Sequence, residues 1–298
     1  YDLGRAALLA LIQLGCCLGL VVLSQRLNSV LTVGNTHGQI WRNPQDSGWA
    51  RLGDTLLICS ALLLMVPPLL TVVIDGSNKT ILTVLQQPAL WQAFFTSVTI
   101  AIGAGLLCVI LTMMLLWSSR ELKLRQRAAY GQALEVSGMV ILAMPGIVLA
   151  TGFFLLLNDT LGLPQSPYGL VILTNALMAV PYALKVLDNP MRDLAERYTP
   201  LCLSLDIRGW HRLRYIELRA LKRPLAQALA FASVLSIGDF GVVALFGNEH
   251  FRTLPFYLYQ QIGSYRSNDG AVTALLLLLL CFLLFTLIER LPSRHAKA

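Results

Sequence analysis

The run VTALLLLLLCFLLFTLI at residues 272–288 contains no charged side chain and is closed by Glu289 and Arg290. With its flanks it meets the ~20 apolar residues that a helix needs to cross the hydrocarbon of a bilayer. Inside lipid the backbone must satisfy its own hydrogen bonds, so such a run is helical. Comparable blocks occur at 6–23, 55–74, 94–117, 136–157, 170–184 and 225–246. Over all 298 residues the chain is 56% hydrophobic and only 13% charged, with a mean hydropathy of +0.65. Soluble domains carry roughly 25% charged residues. The deficit excludes a disordered chain and argues against a soluble globular enzyme. The expectation is an all-α polytopic membrane protein with seven spans. Pro67-Pro68, Pro145-Gly146 and Pro181 fall inside these blocks, where membrane helices tolerate them better than soluble ones do.

The net charge of +7 is informative by position. Arg26, Arg42 and Arg51, the cluster from Arg120 to Arg127, the basic residues from Lys185 to Arg223, and Arg290, Arg294 and Lys297 fall in linkers on one side. Only Arg5, Lys79, Arg252 and Arg266 fall on the other. The positive-inside rule puts the basic side in the cytoplasm, the C-terminus with it, and Tyr1 outside. These charges therefore orient a membrane protein and give no reason to expect a nucleic acid partner. The six cysteines form no CxxC pair, so neither a disulfide framework nor a zinc site is expected.

An internal repeat bears on the first residues. Setting 1–27 against 265–291 without gaps matches Tyr1 with Tyr265, Ala10-Leu11 with Ala274-Leu275, Cys17 with Cys281 and Arg26-Leu27 with Arg290-Leu291. Parallel duplication is a known transporter architecture. The expected organisation is 1–27 as the last helix of a preceding, mostly absent half, 28–53 as a cytoplasmic linker, 54–291 as a second six-helix half, and 292–298 as a tail.

The longest cytoplasmic loop, 185–224, is polar but patterned. Thr199-Pro200 reads as an N-cap followed by Pro at the first helical position. Leu201 and Leu205 share a helix face, Asp206-Ile207-Arg208-Gly209 reads as a turn, and Trp210, Leu213 and Ile216-Glu217 recur at helical spacing among arginines. Two readings stand side by side: an amphipathic element held by anionic lipid, or a docking surface for a cytoplasmic partner.

The spacing from Pro200-Leu201-Cys202 through Asp206 to Ile216-Glu217-Leu218-Arg219 resembles the EAA loop of ABC importer permeases, which runs Glu-Ala-Ala, three residues, Gly, nine residues, Ile-x-Leu-Pro. Ile216 and Leu218 fit. Pro200, Leu201 and Cys202 replace Glu-Ala-Ala, Asp206 replaces the Gly and Arg219 the Pro. The stretch from Gly238-Asp239-Phe240-Gly241 to Gly247 resembles the Asp-Phe-Gly helix of the iron(III)/thiamine group of these permeases, and Thr253, Tyr259, Asp269 and Ala271 continue that pattern. Over 91–291 the chain is similar to the second half of fused bacterial thiamine permeases of that group.

The resemblance implies a type I ABC importer transmembrane fold in the bacterial inner membrane. It implies a cytoplasmic ABC ATPase homodimer that hydrolyses ATP, a periplasmic thiamine-binding protein and a first permease half as partners. The coupling loop would use Pro200, Leu201, Cys202, Leu205, Asp206, Gly209, Trp210, Ile216, Leu218 and Arg219. The same fold carrying iron(III), sulfate or a polyamine is the first rival, and a secondary transporter the second.

Asp239 is the one acidic residue deep in an apolar block. An ionisable group there is costly and faces a cavity or a partner. It is a candidate for the translocation pathway together with Phe240, which offers cation–π contact, and Asn175. The competing expectation for Asp239 and Asn175 is plain hydrogen bonding between helices. Phe256, Tyr257 and Tyr259 on the outer segment are candidates for binding-protein docking, or else an aromatic belt. No GxxxxGK[ST] motif occurs, so ATP belongs to a partner and the chain is expected to bind no cofactor. His37, His211, His250 and His295 all fall in loops, and no catalytic or metal-ligating set is apparent.

Overall fold

The computed structural model describes residues 48–161, 167–205, 207, 209–247 and 251–290, with the isolated positions 12, 16 and 19. Apart from those three positions, the N-terminal copy of the repeat, the linker 28–47 and the tail 291–298 lie outside the described residues. Every regular element among the described residues is helical: α1 (Gly48–Gly76), α2 (Ile81–Leu85), α3 (Pro88–Leu124), α4 (Ala128–Val140), α5 (Gly146–Leu161), α6 (Tyr168–Ser204), α7 (Gly209–Arg212), α8 (Leu218–Ala220), α9 (Lys222–Gly238), α10 (Gly241–Phe246), α11 (Leu254–Gly263) and α12 (Ser267–Arg290). A 3₁₀ turn covers Ile141–Ala143 and a π-helical turn Leu213–Glu217.

Four of these helices contain stretches long and apolar enough to cross a membrane: Leu52–Gly76, Pro88–Leu124, Tyr168–Cys202 and Ser267–Arg290. The blocks 55–74, 94–117, 170–184 and 272–288 lie inside them. Two other expected spans are broken. The block 136–157 divides into α4 and α5, because Pro145 supplies no N–H and drives Met144 extended, at φ −98° and ψ 128°. The block 225–246 divides at Asp239, whose backbone is extended at ψ 117° between α9 and α10. The expectation of a new helix at Thr199-Pro200 is also corrected. Both residues lie within α6, which continues through Pro181, Pro190 and Pro200. The Thr199 hydroxyl is turned to a long-range partner, accepting from Arg212 Nη2 at 3.0 Å.

Helices α3, α6 and α9 form the centre. Their shared core uses Ala104, Cys108, Ala176, Ala179, Ala183, Ala228 and Ala232 with Leu184 and Leu187. Small residues let helix backbones approach closely, which is how helices associate where lipid supplies no hydrophobic contrast. Gly105 is the tightest point: a Cβ there would lie 2.4 Å from Ser233 Oγ on α9. A second core joins α3 and α9 to α11 and α12 through Leu90, Ala93, Leu254, Val272 and Leu280. Helix α1 leans on α12, where Gly76 leaves room for Leu275, and presents the rest of its apolar surface outward. That exposure suits a lipid-facing helix.

Candidate functional site

At its C-terminal end, α6 closes with Leu205 N–H donating to the Leu201 carbonyl at 3.1 Å and Ile207 N–H to the Cys202 carbonyl at 2.9 Å. Gly209 has φ +57°, a left-handed conformation that favours glycine. The predicted turn is therefore present at its described positions; Asp206 and Arg208 lie outside them. The chain then climbs through α7, the π turn and α8 into α9. Pro200, Leu201, Leu205, Leu218 and Arg219 are exposed, Gly209 is exposed, Cys202 is buried and Ile216 is half-buried against the core. Trp210 lies on α7, and its side chain is outside the described residues.

The loop is held by a group that the sequence reading passed over. Glu217 is fully buried. Its Oε1 accepts from Arg120 Nη1 at 2.6 Å and from Arg212 Nε at 3.0 Å. Arg212 also reaches Thr199. A single carboxylate oxygen thus joins the end of α3, the first loop helix and the last turns of α6. The π turn delivers it there: the extra residue rotates Glu217 inward while Arg214 and Tyr215 remain outside. Glu217 Oε2 and Arg120 Nε are buried without partners. Removing one member of such a buried pair costs about 3–5 kcal/mol, because the remaining charge is left uncompensated. The available sequence signal was a glutamate at the apolar spacing of Trp210, Leu213 and Ile216.

Beside it, Glu135 on α4 bridges to α3 and α6. Lys123 Nζ lies 2.6 Å and Ser119 Oγ 2.7 Å from Oε1, with Arg192 Nη2 3.6 Å from Oε2. Burial pushes the Glu135 carboxyl up, but the Lys123 and Ser119 hydrogen bonds and the Lys123 and Arg192 charges outweigh it and hold it below its usual value. Arg192 also pairs with Asp188 at 2.8 Å.

The second region is the break in the 225–246 block. Asn175 Nδ2 donates to Ser236 Oγ at 3.0 Å, tying α6 to α9. Asp239 follows directly and turns toward the N–H groups of Gly241 and Val242, which open α10, and toward the Asn175 amide. Its Oδ2 is buried without a hydrogen-bond partner. Asn175, Ser236 and Asp239 line one cavity of about 340 Å³ with Met178, Ala179, Tyr182 and Leu235. The structure thus brings two separately nominated residues, Asn175 and Asp239, into one site. Phe240 turns to a different neighbourhood, stacking on Phe256 at 6.4 Å and meeting Tyr259 at 4.9 Å between ring centroids.

On α11, Phe256 is half-buried and Tyr259 exposed, whereas Tyr257 is buried and donates its hydroxyl to Gln87 Oε1 at 2.5 Å. Tyr265, which the sequence reading used only in the repeat, is 97% exposed on the turn between α11 and α12.

Comparisons with known proteins bear on these sites. The family model described as binding-protein-dependent transport system inner membrane component matches residues 122–296. The thiamine transport system permease protein of Escherichia coli K12 is 70% identical over 297 residues, covering all of this chain and 55% of that protein. Its counterpart in Haemophilus influenzae Rd is 39% identical over 290 residues, 97% of this chain and 54% of that protein. A putative 2-aminoethylphosphonate transport system permease protein of Salmonella paratyphi A is 25% identical over 214 residues, 69% of this chain and 76% of that protein. The chain spans about half the length of the thiamine permeases it matches.

Proposed function

The chain belongs to the family of binding-protein-dependent transport system inner membrane components, and from that premise we propose that it is the second membrane half of an ATP-driven thiamine importer. The observation that carries the substrate is the 70% identity, over the whole chain, to a protein named as a thiamine permease. In this reading residues 1–27 close a preceding half, 54–291 form the second, and the cytoplasm holds the basic side with the C-terminus. The chain performs no chemistry and binds no cofactor of its own; ATP is hydrolysed by a cytoplasmic ATPase homodimer.

The loop is the docking element for that ATPase. Leu201, Leu205, Tyr215 and Leu218 present apolar surface outward, beside the exposed Arg219, from a segment anchored underneath by Glu217. Exposed apolar groups on a polar cytoplasmic loop fit a protein groove. On the outer face, Tyr259 and Phe256 receive the thiamine-binding protein, while the buried Tyr257 shapes the helix that presents them.

The pathway passes the cavity at Asp239 and Asn175. Thiamine carries a permanent cationic thiazolium, and a carboxylate with an unpaired oxygen beside an exposed tyrosine, Tyr182, is suited to a flat organic cation. The test is ATP hydrolysis by the complete permease reconstituted with its ATPase and binding protein in nanodiscs. Stimulation by thiamine-loaded binding protein alone is the expected result. Stimulation instead by an iron(III), sulfate, polyamine or aminoethylphosphonate pair keeps the architecture and discards thiamine. Failure of any ATPase to associate returns the chain to a secondary-transporter reading.

A further inference from the structure

We propose that Glu217 is a positioning residue that transmits movement of the cytoplasmic loop to the outer face of the chain through helix α3; this rests on the transporter reading above. Its Oε1 receives both Arg212 of the loop and Arg120 in the last turns of α3. A displacement of the loop therefore pulls on α3 through two charge-assisted hydrogen bonds to one atom.

Helix α3 is suited to carry it. It has 37 residues, ~55 Å at 1.5 Å per residue, and its single proline is at the first position. The other helices at the loop are less direct: α6 contains three prolines and α9 stops at Gly238. The far end of α3 grips the outer helix. Ser97 Oγ accepts the backbone N–H of Leu254 at 2.8 Å in a buried contact, and Gln87, immediately before α3, accepts the Tyr257 hydroxyl. The first turn of α11 is thus bonded to the same rod whose other end is bonded to Glu217. Spatial continuity alone does not establish coupling, so the claim is tested on coupling itself.

The reporter is a Tyr259→Cys substitution on α11 in a background without the native cysteines, in the ATPase-bound transporter in nanodiscs. Its rate of maleimide labelling is compared without nucleotide and after trapping with ATP and vanadate. The parent is expected to change its labelling rate about fivefold or more, the lower end of allosteric couplings. Glu217→Gln, which keeps the shape and removes the charge, is expected to lose that change by a larger factor than it lowers ATPase association and hydrolysis. A merely structural role predicts a different pattern, in which ATPase association and hydrolysis fall together with the labelling change. That pattern overturns the proposal, as does a full labelling change in Glu217→Gln or none in the parent. Should Glu217→Gln fail to assemble, Arg120→Lys is read the same way, and failure of both overturns transmission in favour of plain architecture. The readout needs no transported solute, so it stands even where thiamine proves to be the wrong substrate. A parent that binds no ATPase fails the transporter reading instead.

Discussion

Glu217 and Asp239 are both carboxylates inside an apolar helical protein, and they are treated in opposite ways. Glu217 has no exposed surface and faces two guanidinium groups on one oxygen. Asp239 has no basic partner among the described residues; it faces helix N–H groups, an amide and a cavity of about 340 Å³. A buried carboxylate met by two built-in cations fixes geometry even though its second oxygen has no partner, because moving it breaks strong bonds. A carboxylate beside a cavity and without a built-in cation keeps its pairing capacity for something that comes and goes. The two ends of this molecule thus differ in whether the counter-charge is built in.

The largest effect expected from breaking that comparison is at the paired end. Glu217→Ala leaves Arg120 and Arg212 beside each other without their anion, and a loss of about 3–5 kcal/mol is expected. A lowered thermal midpoint and poor recovery of the purified permease would register it. Retention of the parent midpoint would mean that the arginines find water or lipid phosphate as readily as they find Glu217.

The seam between the two regions comes next. Gly105→Ala puts a methyl 2.4 Å from Ser233 Oγ and 3.0 Å from Leu229 Cδ1, where overpacking typically costs about 1–3 kcal/mol. Because α3 carries Arg120 and α9 leads directly into Asp239, the same substitution is expected to lower both stability and transport. A stability loss with unaltered transport would separate the seam from function.

How much of this was legible in the chain depends on the range of the interaction. The run 272–288 reads directly because apolarity is continuous and local. The division at Met144 was signalled by Pro145, which disfavours a helical backbone at the preceding residue, although α6 runs on through three prolines. The division at Asp239 was not, since an apolar window averages over a single carboxylate, and what stabilises the break is the set of N–H groups that follow it. Phe256 and Tyr259 stand three apart and share a helix face, whereas Tyr257 is rotated about 100° from Phe256; that spacing already favoured the inward position it takes. The pairing of Glu217 with Arg120 spans 97 residues in a chain rich in arginine, and no local pattern selects one partner over the others. Asn175 and Asp239 were each picked out for polarity in an apolar block, but only packing of α6 on α9 reveals that they share one cavity.

At the open end, Asp239→Asn removes the charge and keeps the size. The expected outcome is a roughly tenfold rise in the thiamine concentration for half-maximal transport, equivalent to about 1.4 kcal/mol, with the thermal midpoint nearly unchanged. Tyr182→Ala, on the cavity wall, should move in the same direction by less. A variant that loses stability instead would show that Asp239 serves the α9–α10 break, as Glu217 serves the loop, and the contrast between the two carboxylates would collapse.

The smallest effect sharpens the comparison by titration. Glu135, the partly exposed carboxylate that ties α4 to α3 and α6, has a carboxyl held below its usual value: burial pushes it up, and the bonds and charges from Lys123, Ser119 and Arg192 outweigh that push. A carboxyl with a folded-state pKa below its unfolded value adds stability that is fully present above the unfolded pKa. That stability is lost as pH falls through the folded pKa. Acidification from neutrality is therefore expected to lower the thermal midpoint only once the ordinary carboxylate range is reached and passed. Solvent screens this cluster, so its share is at most about 1 kcal/mol. Glu135→Gln should flatten that part of the acid profile and leave the profile near neutrality shallow. If the acid slope survives Glu135→Gln unchanged, the titrating group lies elsewhere.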